Sequence, residues 1–222
     1  MIRSFRRTLF AFALATGTAA LALAPTADVQ AAPIKGDATK YVEGKHAAVL
    51  KLLGQAAKTP DEVKARDAKV DAELATLVDY DQMAKDALGK EWDKRTDAER
   101  KEFTDLLKQL IQKNYKKNLT KTVNYAIDYK GEQALTKLPS GGEAQPGDVL
   151  VNTEATNKED KRDTSVKVDY VLRKKGTGYV AIDLVTEDSP MVRAYNKEFT
   201  KEIAKNGFPS VITKMKDKLA KP

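Results

Sequence analysis

The sequence predicts an α+β domain, with helices first, an antiparallel meander next and further helices last. Three observations predict it. Apolar residues recur at helical spacing through residues 33–120. From residue 123 onward they alternate every second position, the period of half-buried strands. Between Val166 and Asn206, two such strands run through a tight turn directly into a helix. Helices before and after a meander gather on one face of an antiparallel sheet.

The first helix spans Ala38 to Gln55, with Tyr41, Val42, Ala48, Val49, Leu52 and Leu53 as its apolar residues. Thr59-Pro60 opens a second, which carries Val63, Val70, Leu74 and Leu77. Asp79 caps a short helix through Leu88, ended by Gly89. Thr96-Asp97-Ala98-Glu99 is a capping box. It starts a long helix whose stripe is Phe103, Leu106, Leu107, Leu110, Ile111 and Tyr115.

In the second half, Val123, Tyr125, Ile127 and Tyr129 alternate with polar neighbours. Leu138 to Gly147 is a loop by composition, and Asp148 to Lys158 is a strand with Val149 and Val151 on one face. Glu159 to Asp163 is a mixed-charge turn. Val166, Val168, Tyr170 and Leu172 then alternate with Lys167, Asp169 and Arg173. Gly176 and Gly178 make a hairpin turn, and the return strand places Val180, Ile182 and Leu184 on one face. This alternation makes Asp169 and Asp183 solvent-facing. Ser189 reads as an N-cap and Pro190 as the first helical residue of a helix carrying Met191, Val192, Tyr195, Phe199 and Ile203. Asn206-Gly207 stops it, and Phe208-Pro209 starts a last helix with Val211, Ile212, Met215 and Leu219.

The N-terminus has the pattern of a secretory signal. Arg3, Arg6 and Arg7 precede an apolar run from Thr8 to Ala24, Pro25 breaks it, and Val29-Gln30-Ala31-Ala32 offers small residues for cleavage. An uncleaved anchor is the rival reading, but the run is short for a membrane span and Thr16-Gly17-Thr18 interrupts it. Arg6-Arg7 also fits a twin-arginine signal faintly. The expectation is a signal peptide over 1–32, a periplasmic protein, and one domain over 33–222. There is no cysteine, so an exported chain holds together by its core alone. The formal charge is +7, of which residues 1–32, with three Arg and one Asp, carry +2 and the rest +5. Such a balance suits anionic surfaces such as acidic lipid headgroups, and equally an ordinary solvated surface.

Enzyme chemistry finds little footing. Without cysteine there is no thiol chemistry and no thiolate metal site. His46 is the lone histidine and reads as a surface residue of the first helix. No Gly-rich phosphate loop and no Gly-x-Ser-x-Gly elbow is present. Asp79 and Asp81 could hold a cation, but helix capping accounts for them better. The expectation is a protein that is not an enzyme and has no metal, cofactor or nucleic-acid partner. What remains is abundant apolar and aromatic surface, which can fill a core or wall a hollow.

Two blocks resemble the MlaC family of periplasmic phospholipid-binding proteins, also called toluene-tolerance auxiliary proteins. One is Val168-Asp169-Tyr170-Val171-Leu172-Arg173-Lys174-Lys175, with Gly178-Tyr179, Asp183-Leu184-Val185, Val192-Arg193-Ala194-Tyr195, Phe199 and Asn206-Gly207. The other is Val78 to Trp92, followed by Glu99-Arg100 and Glu102-Phe103. Asp188-Ser189-Pro190-Met191 departs from it, since the family more often has Gly, a small or apolar residue, Ser, then Leu. The resemblance implies a curved sheet of the nuclear-transport-factor-2-like kind, closing with the helices around an apolar cavity. It further implies a shuttle for phospholipid as cargo, with no cofactor. The partners implied are an outer-membrane lipoprotein complex and an inner-membrane ABC transporter with a lipid-binding MCE component. The inward-reading faces then nominate Tyr115, Val151, Tyr170, Leu172, Ile182, Leu184, Val192, Tyr195 and Phe199 as the acyl-chain wall. Lys116, Lys117 and Lys121, with Lys197, Lys201 and Lys205, form a candidate docking face. The competing expectation is a non-catalytic envelope adaptor with a filled core and no lipid. A small-molecule enzyme on the same cone-shaped fold is a third, opposed by the apolar character of the inward faces.

Overall fold

A computed structural model describes residues 34–122, 125–159 and 165–221, with the side chains of 116–122 excepted. The predicted signal peptide, Val123 and most of the charged run 159–163 lie outside the described residues, as do the side chains of Lys116, Lys117 and Lys121. Four helices come first: α1 (Asp37–Leu53), α2 (Pro60–Leu77), α3 (Tyr80–Leu88) and α4 (Asp97–Thr122). An antiparallel sheet follows in the order β1 (Tyr125–Ala134), β2 (Val149–Asn157), β3 (Val166–Lys175), β4 (Gly178–Thr186) and the two-residue β5 (Ser189–Pro190). Helices α5 (Met191–Asn206) and α6 (Phe208–Ala220) end the chain. Among the described residues no helix is long and apolar enough to cross a membrane. The α+β order expected from the sequence is the order observed.

Local chemistry explains the helix starts. Thr59 and Glu62 form a complete capping box at α2. Glu99 N–H donates to Thr96 Oγ1 (3.2 Å) and Thr96 N–H to Glu99 Oε2 (2.8 Å), the same device at α4. The Asp79 carboxylate accepts from Gln82 N–H at 3.1 Å, as its cap role requires.

The two helices nearest the sheet begin differently. Gly36, at the N-cap of α1, has no side chain to offer. Glu132 of β1 takes its place, accepting from Thr39 N–H (2.6 Å) and Thr39 Oγ1–H (2.9 Å). The approach is close, since a Cβ at position 36 would fall 2.1 Å from Glu132 Oε1. At α5 the expected Ser189 cap is not used. Glu187 and Asp188 have φ of 49° and 61°, which turns the chain so that Ser189 and Pro190 pair with Thr186 and Val185. Pro190 is extended and α5 starts one residue later. Asp183 of β4 caps it instead, its Oδ1 accepting from Val192 N–H (2.9 Å) and Leu184 N–H (2.8 Å). Asp183 is therefore buried, at 2% exposure, and not solvent-facing. Asp169 is buried too, accepting from Thr153 N–H at 3.0 Å.

Two bulges bend the sheet. One lies between Tyr129 and Gly131 in β1, where Lys130 is the extra residue. The other lies in β4. Val171 pairs with Asp183 but Leu172 pairs with Ala181, so Ile182 is left over. The extra residue reverses the alternation. Leu184, Ala181 and Tyr179 join the main core, while Ile182 packs with Val171 and Val185 on the opposite face. The shared face expected for Val180, Ile182 and Leu184 fails for this reason. The outer face is not bare, because Leu135, Leu138 and Leu150 cover that small cluster. Asp148, fully buried, fastens the covering loop to β3 through a two-pronged ion pair with Arg173 (2.9 and 2.7 Å).

The α5 cap supplies a test with a definite sign. Burial pushes the Asp183 carboxyl up to about 6, against the hydrogen bonds from Val192 and Leu184. An acid raised in the fold favours folding while protonated, and that advantage disappears as pH rises from about 4 through 6. Asp183→Asn keeps an oxygen acceptor without the charge. Relative to wild type it should gain stability steadily across that window, by up to ~3 kcal/mol. Asp183→Ala should lose about 1–2 kcal/mol at acidic pH, where only the cap is at stake. Urea denaturation of the three proteins at pH 4.5 and 8 measures both. A difference between Asn and Asp that does not change with pH would refute the assignment.

Candidate functional site: the apolar interior and its buried hydroxyls

The interior between the sheet and the helices is one large apolar cluster. α4 contributes Phe103, Leu106, Leu107, Leu110 and Ile111, the stripe read from the sequence. β2 and β3 contribute Val151, Tyr170 and Leu172, β4 contributes Ala181 and Leu184, and α5 contributes Val192, Tyr195 and Phe199. The rings pair in two geometries. Phe103 meets Phe199 at 5.2 Å in a T-shape, and Tyr195 stacks on Phe199 at 5.4 Å. Burial drives the Tyr195 hydroxyl up to about 12.

Seven of the nominated wall residues are thus brought together: Val151, Tyr170, Leu172, Leu184, Val192, Tyr195 and Phe199. Tyr115 packs instead on a second cluster, Val49, Val70 and Leu74 between α1 and α2, with Leu52 and Leu53 beside it. Ile182 stands on the outer face of the sheet for the reason given above. Leu184 is half-buried and Val151 and Leu172 are fully buried.

The sequence reading missed the polar part of this interior. His46 is 3% exposed and not a surface residue. Its Nδ1 lies 2.8 Å from the Tyr129 hydroxyl and its Nε2 lies 2.8 Å from the Tyr170 hydroxyl. Tyr170 pairs with Val151 and Tyr129 with Thr153, so β2 runs between the two tyrosine strands and the histidine spans it from α1. Burial lowers the imidazole to about 4, which keeps it neutral at neutral pH. A sequence signal existed, since Ala38, Val42, His46 and Val49 fall on one helical stripe. Tyr115 belongs to the same neighbourhood. Burial, then the nearness of Tyr129 and Tyr80, raises its hydroxyl well above the ordinary value. Tyr170 is raised by burial and next by Tyr115.

Other surface features lie elsewhere. A shallow hollow of about 390 Å³ between α4 and α6 is lined by Lys101, Glu102, Asp105, Leu106 and Lys216 among others, and by none of the nominated wall. Lys197, Lys201 and Lys205 are exposed on α5 as expected. Among the described residues no group of three or more His, Asp or Glu is placed to hold a metal ion.

Comparison with curated proteins finds no match. Among solved structures, the fold is similar to that of a phospholipid-binding protein from Ralstonia solanacearum in complex with a phospholipid. The TM-score is 0.65 at 22% identity, covering 83% of this chain and 98% of that one. A family model described as MlaC protein matches residues 44–217. That span takes in the four N-terminal helices almost entirely, the whole sheet and both C-terminal helices, and the chain belongs to the MlaC family.

Proposed function

We propose that this protein is a periplasmic phospholipid carrier. It moves lipid between the outer membrane and an inner-membrane ABC transporter with an MCE component, and so maintains the lipid asymmetry of the outer membrane. The observation that carries this reading is the family match over residues 44–217, joined to the likeness in fold to a protein solved with a phospholipid. The interior agrees with it chemically. Seven of the nominated residues, from β2, β3, β4 and α5, lie in one apolar cluster, whose chemistry suits acyl chains and offers little to a reaction. Burying a methylene stabilises by roughly 0.8 kcal/mol, so one chain contributes on the order of 10 kcal/mol. Chains held so tightly need a dry enclosure, with the headgroup left at its mouth. Export by the N-terminal signal belongs to the same proposal.

The adaptor reading retains one observation in its favour: Val151, Leu172, Val192 and Phe199 are buried against one another. Protein purified from its native envelope decides between the two. Organic extraction and mass spectrometry should find phospholipid at about one molecule per chain, and lipid-free protein would refute the carrier.

Leu184→Asp refines the test. The half-buried Leu184 lies opposite Tyr170 on the inner face. As part of a lipid wall, the variant should fold and lose most of its lipid. In a filled core the carboxylate would unfold the domain instead, because burying an unpaired charge is prohibitive. Circular dichroism and lipid content on the same sample separate these outcomes.

Handover follows from the same energetics. A chain bound by ~10 kcal/mol leaves slowly unless its receiver opens the carrier. Docking through Lys197 and Lys201 should make transfer to the MCE component slow as salt rises. Reversal of both charges to Glu should weaken transfer while leaving lipid content intact. Fast release to bare liposomes at any salt would contradict partner-driven opening.

A further inference from the structure

The net charge of the chain is unevenly placed. Residues 33–190 hold 28 Lys and Arg against 28 Asp and Glu, and so balance. Residues 191–222 hold eight against three, a surplus of +5. The whole surplus of residues 33–222 thus sits in the segment of α5 and α6.

The two acids of α5 are already spent. Glu202 pairs with Lys214, and Glu198 with Lys218 at 2.9 Å, so α6 neutralises the seam between the helices. Lys216 is taken by Glu102 of α4 at 2.7 Å. What is left on α5 is Arg193, Lys197, Lys201 and Lys205, all exposed and in no ion pair with a described residue. They follow one another at i, i+4 and make a single ridge about 18 Å long, at 1.5 Å of rise per residue. Like charges at that spacing oppose helix formation, and three such pairs stand in series. The stability of α5 therefore gives no reason for the ridge. The opposite face of α5 carries Val192, Tyr195 and Phe199 into the apolar cluster. The ridge lies one helix diameter, about 10 Å, from the proposed lipid wall.

The surroundings select the counter-ion. A specific protein partner asks for an apolar or aromatic centre within the contact. Among the described residues the exposed large apolar side chains are Ile34 and Leu50, and neither is on α5 or α6. A layer of anionic headgroups asks for no such centre, since its charges are mobile and gather under a row of cations. Without an apolar side chain to insert, the contact stays at headgroup level and is reversible.

We propose that the Arg193–Lys197–Lys201–Lys205 ridge is a docking surface for an anionic bilayer. Its purpose rests on the carrier reading above. The receiver sits in a membrane, and the ridge brings the lipid wall to that membrane before the receiver opens the carrier.

Vesicle flotation tests it. Protein purified from its native envelope is mixed with vesicles of phosphatidylcholine, alone or with phosphatidylglycerol added. Wild type should float with the anionic vesicles at low salt and ignore the neutral ones. At about 1 M salt, where charges are screened beyond roughly 3 Å, it should float with neither. Each cation at such a surface strengthens binding about fivefold, so joint Lys197→Gln and Lys201→Gln should weaken it by about 25-fold. That variant relieves like-charge neighbours and should melt no lower than wild type, which separates lost binding from lost folding. Joint Lys64→Gln and Lys69→Gln removes the same charge from exposed positions of α2 and should leave binding unchanged. An equal loss in both variants would show a diffuse effect of net charge and overturn the ridge. Failure to bind anionic vesicles overturns it too. If the α5 variant then still binds the MCE component poorly in detergent, the ridge reads a protein and not a bilayer. Lipid content is measured on the same preparation before mixing. Lipid-free protein that floats refutes the carrier and leaves the docking surface standing, whereas lipid-loaded protein that ignores the vesicles does the reverse.

Discussion

The free amides at the starts of α1 and α5 are satisfied by carboxylates that belong to the sheet, Glu132 of β1 and Asp183 of β4. A helix whose first turn is held by its own Ser or Thr can begin wherever the chain leads it. A helix capped by a strand cannot. Its origin and direction are set by the strand, so the geometry of the sheet passes to the two helices that flank it. The carboxylates also meet the positive ends of the helix dipoles, which offsets part of the cost of burying Asp183. The interior exists because these contacts set the helices against the strands at opposite ends of the sheet. α2 and α4, by contrast, carry their own capping boxes and rely on packing for position.

This division explains what could be read in the sequence. The capping boxes at Thr59 and Thr96, the stripe of α4 and the Gly207 stop of α5 all depend on residues a few positions apart, and they were legible. The contributions of Glu132 and Asp183 span 93 and 9 residues, and no local pattern announces them. Asp183 looked solvent-facing because it alternates with apolar neighbours, yet the outer face has its own cover from Leu135, Leu138 and Leu150. The same oversight applied to Asp169. Ser189-Pro190 had the composition of a helix start, and the left-handed turn at Glu187 and Asp188 overrode it by returning the chain to β4.

The inward placement of most nominated residues was legible because apolar periodicity reports which residues face the core. Seven of the nine nominated residues share one cluster on that basis. The polar component was harder to see. The polar neighbour Lys45 suggests a surface position for His46, whereas its place on the Ala38–Val42–Val49 stripe is the better guide. Its partners lie on strands 83 and 124 residues away. A buried histidine that links two hydroxyls across an intervening strand also ties α1 to the sheet by specific bonds, where apolar contact alone would allow sliding.

The bulge at Ile182 has a further consequence, which concerns chain length and not side-chain identity. β4 carries one residue more than its partner strand, and the bulge absorbs it so that Leu184 stays on the same side as Tyr179 and Ala181. Removing Ile182 alone would restore a regular ladder with those three residues still alternating on the inner face. The small outer cluster with Val171 and Val185 would lose a member, and the inner face would keep its own. A one-residue deletion at the bulge is thus a change that the interior should survive.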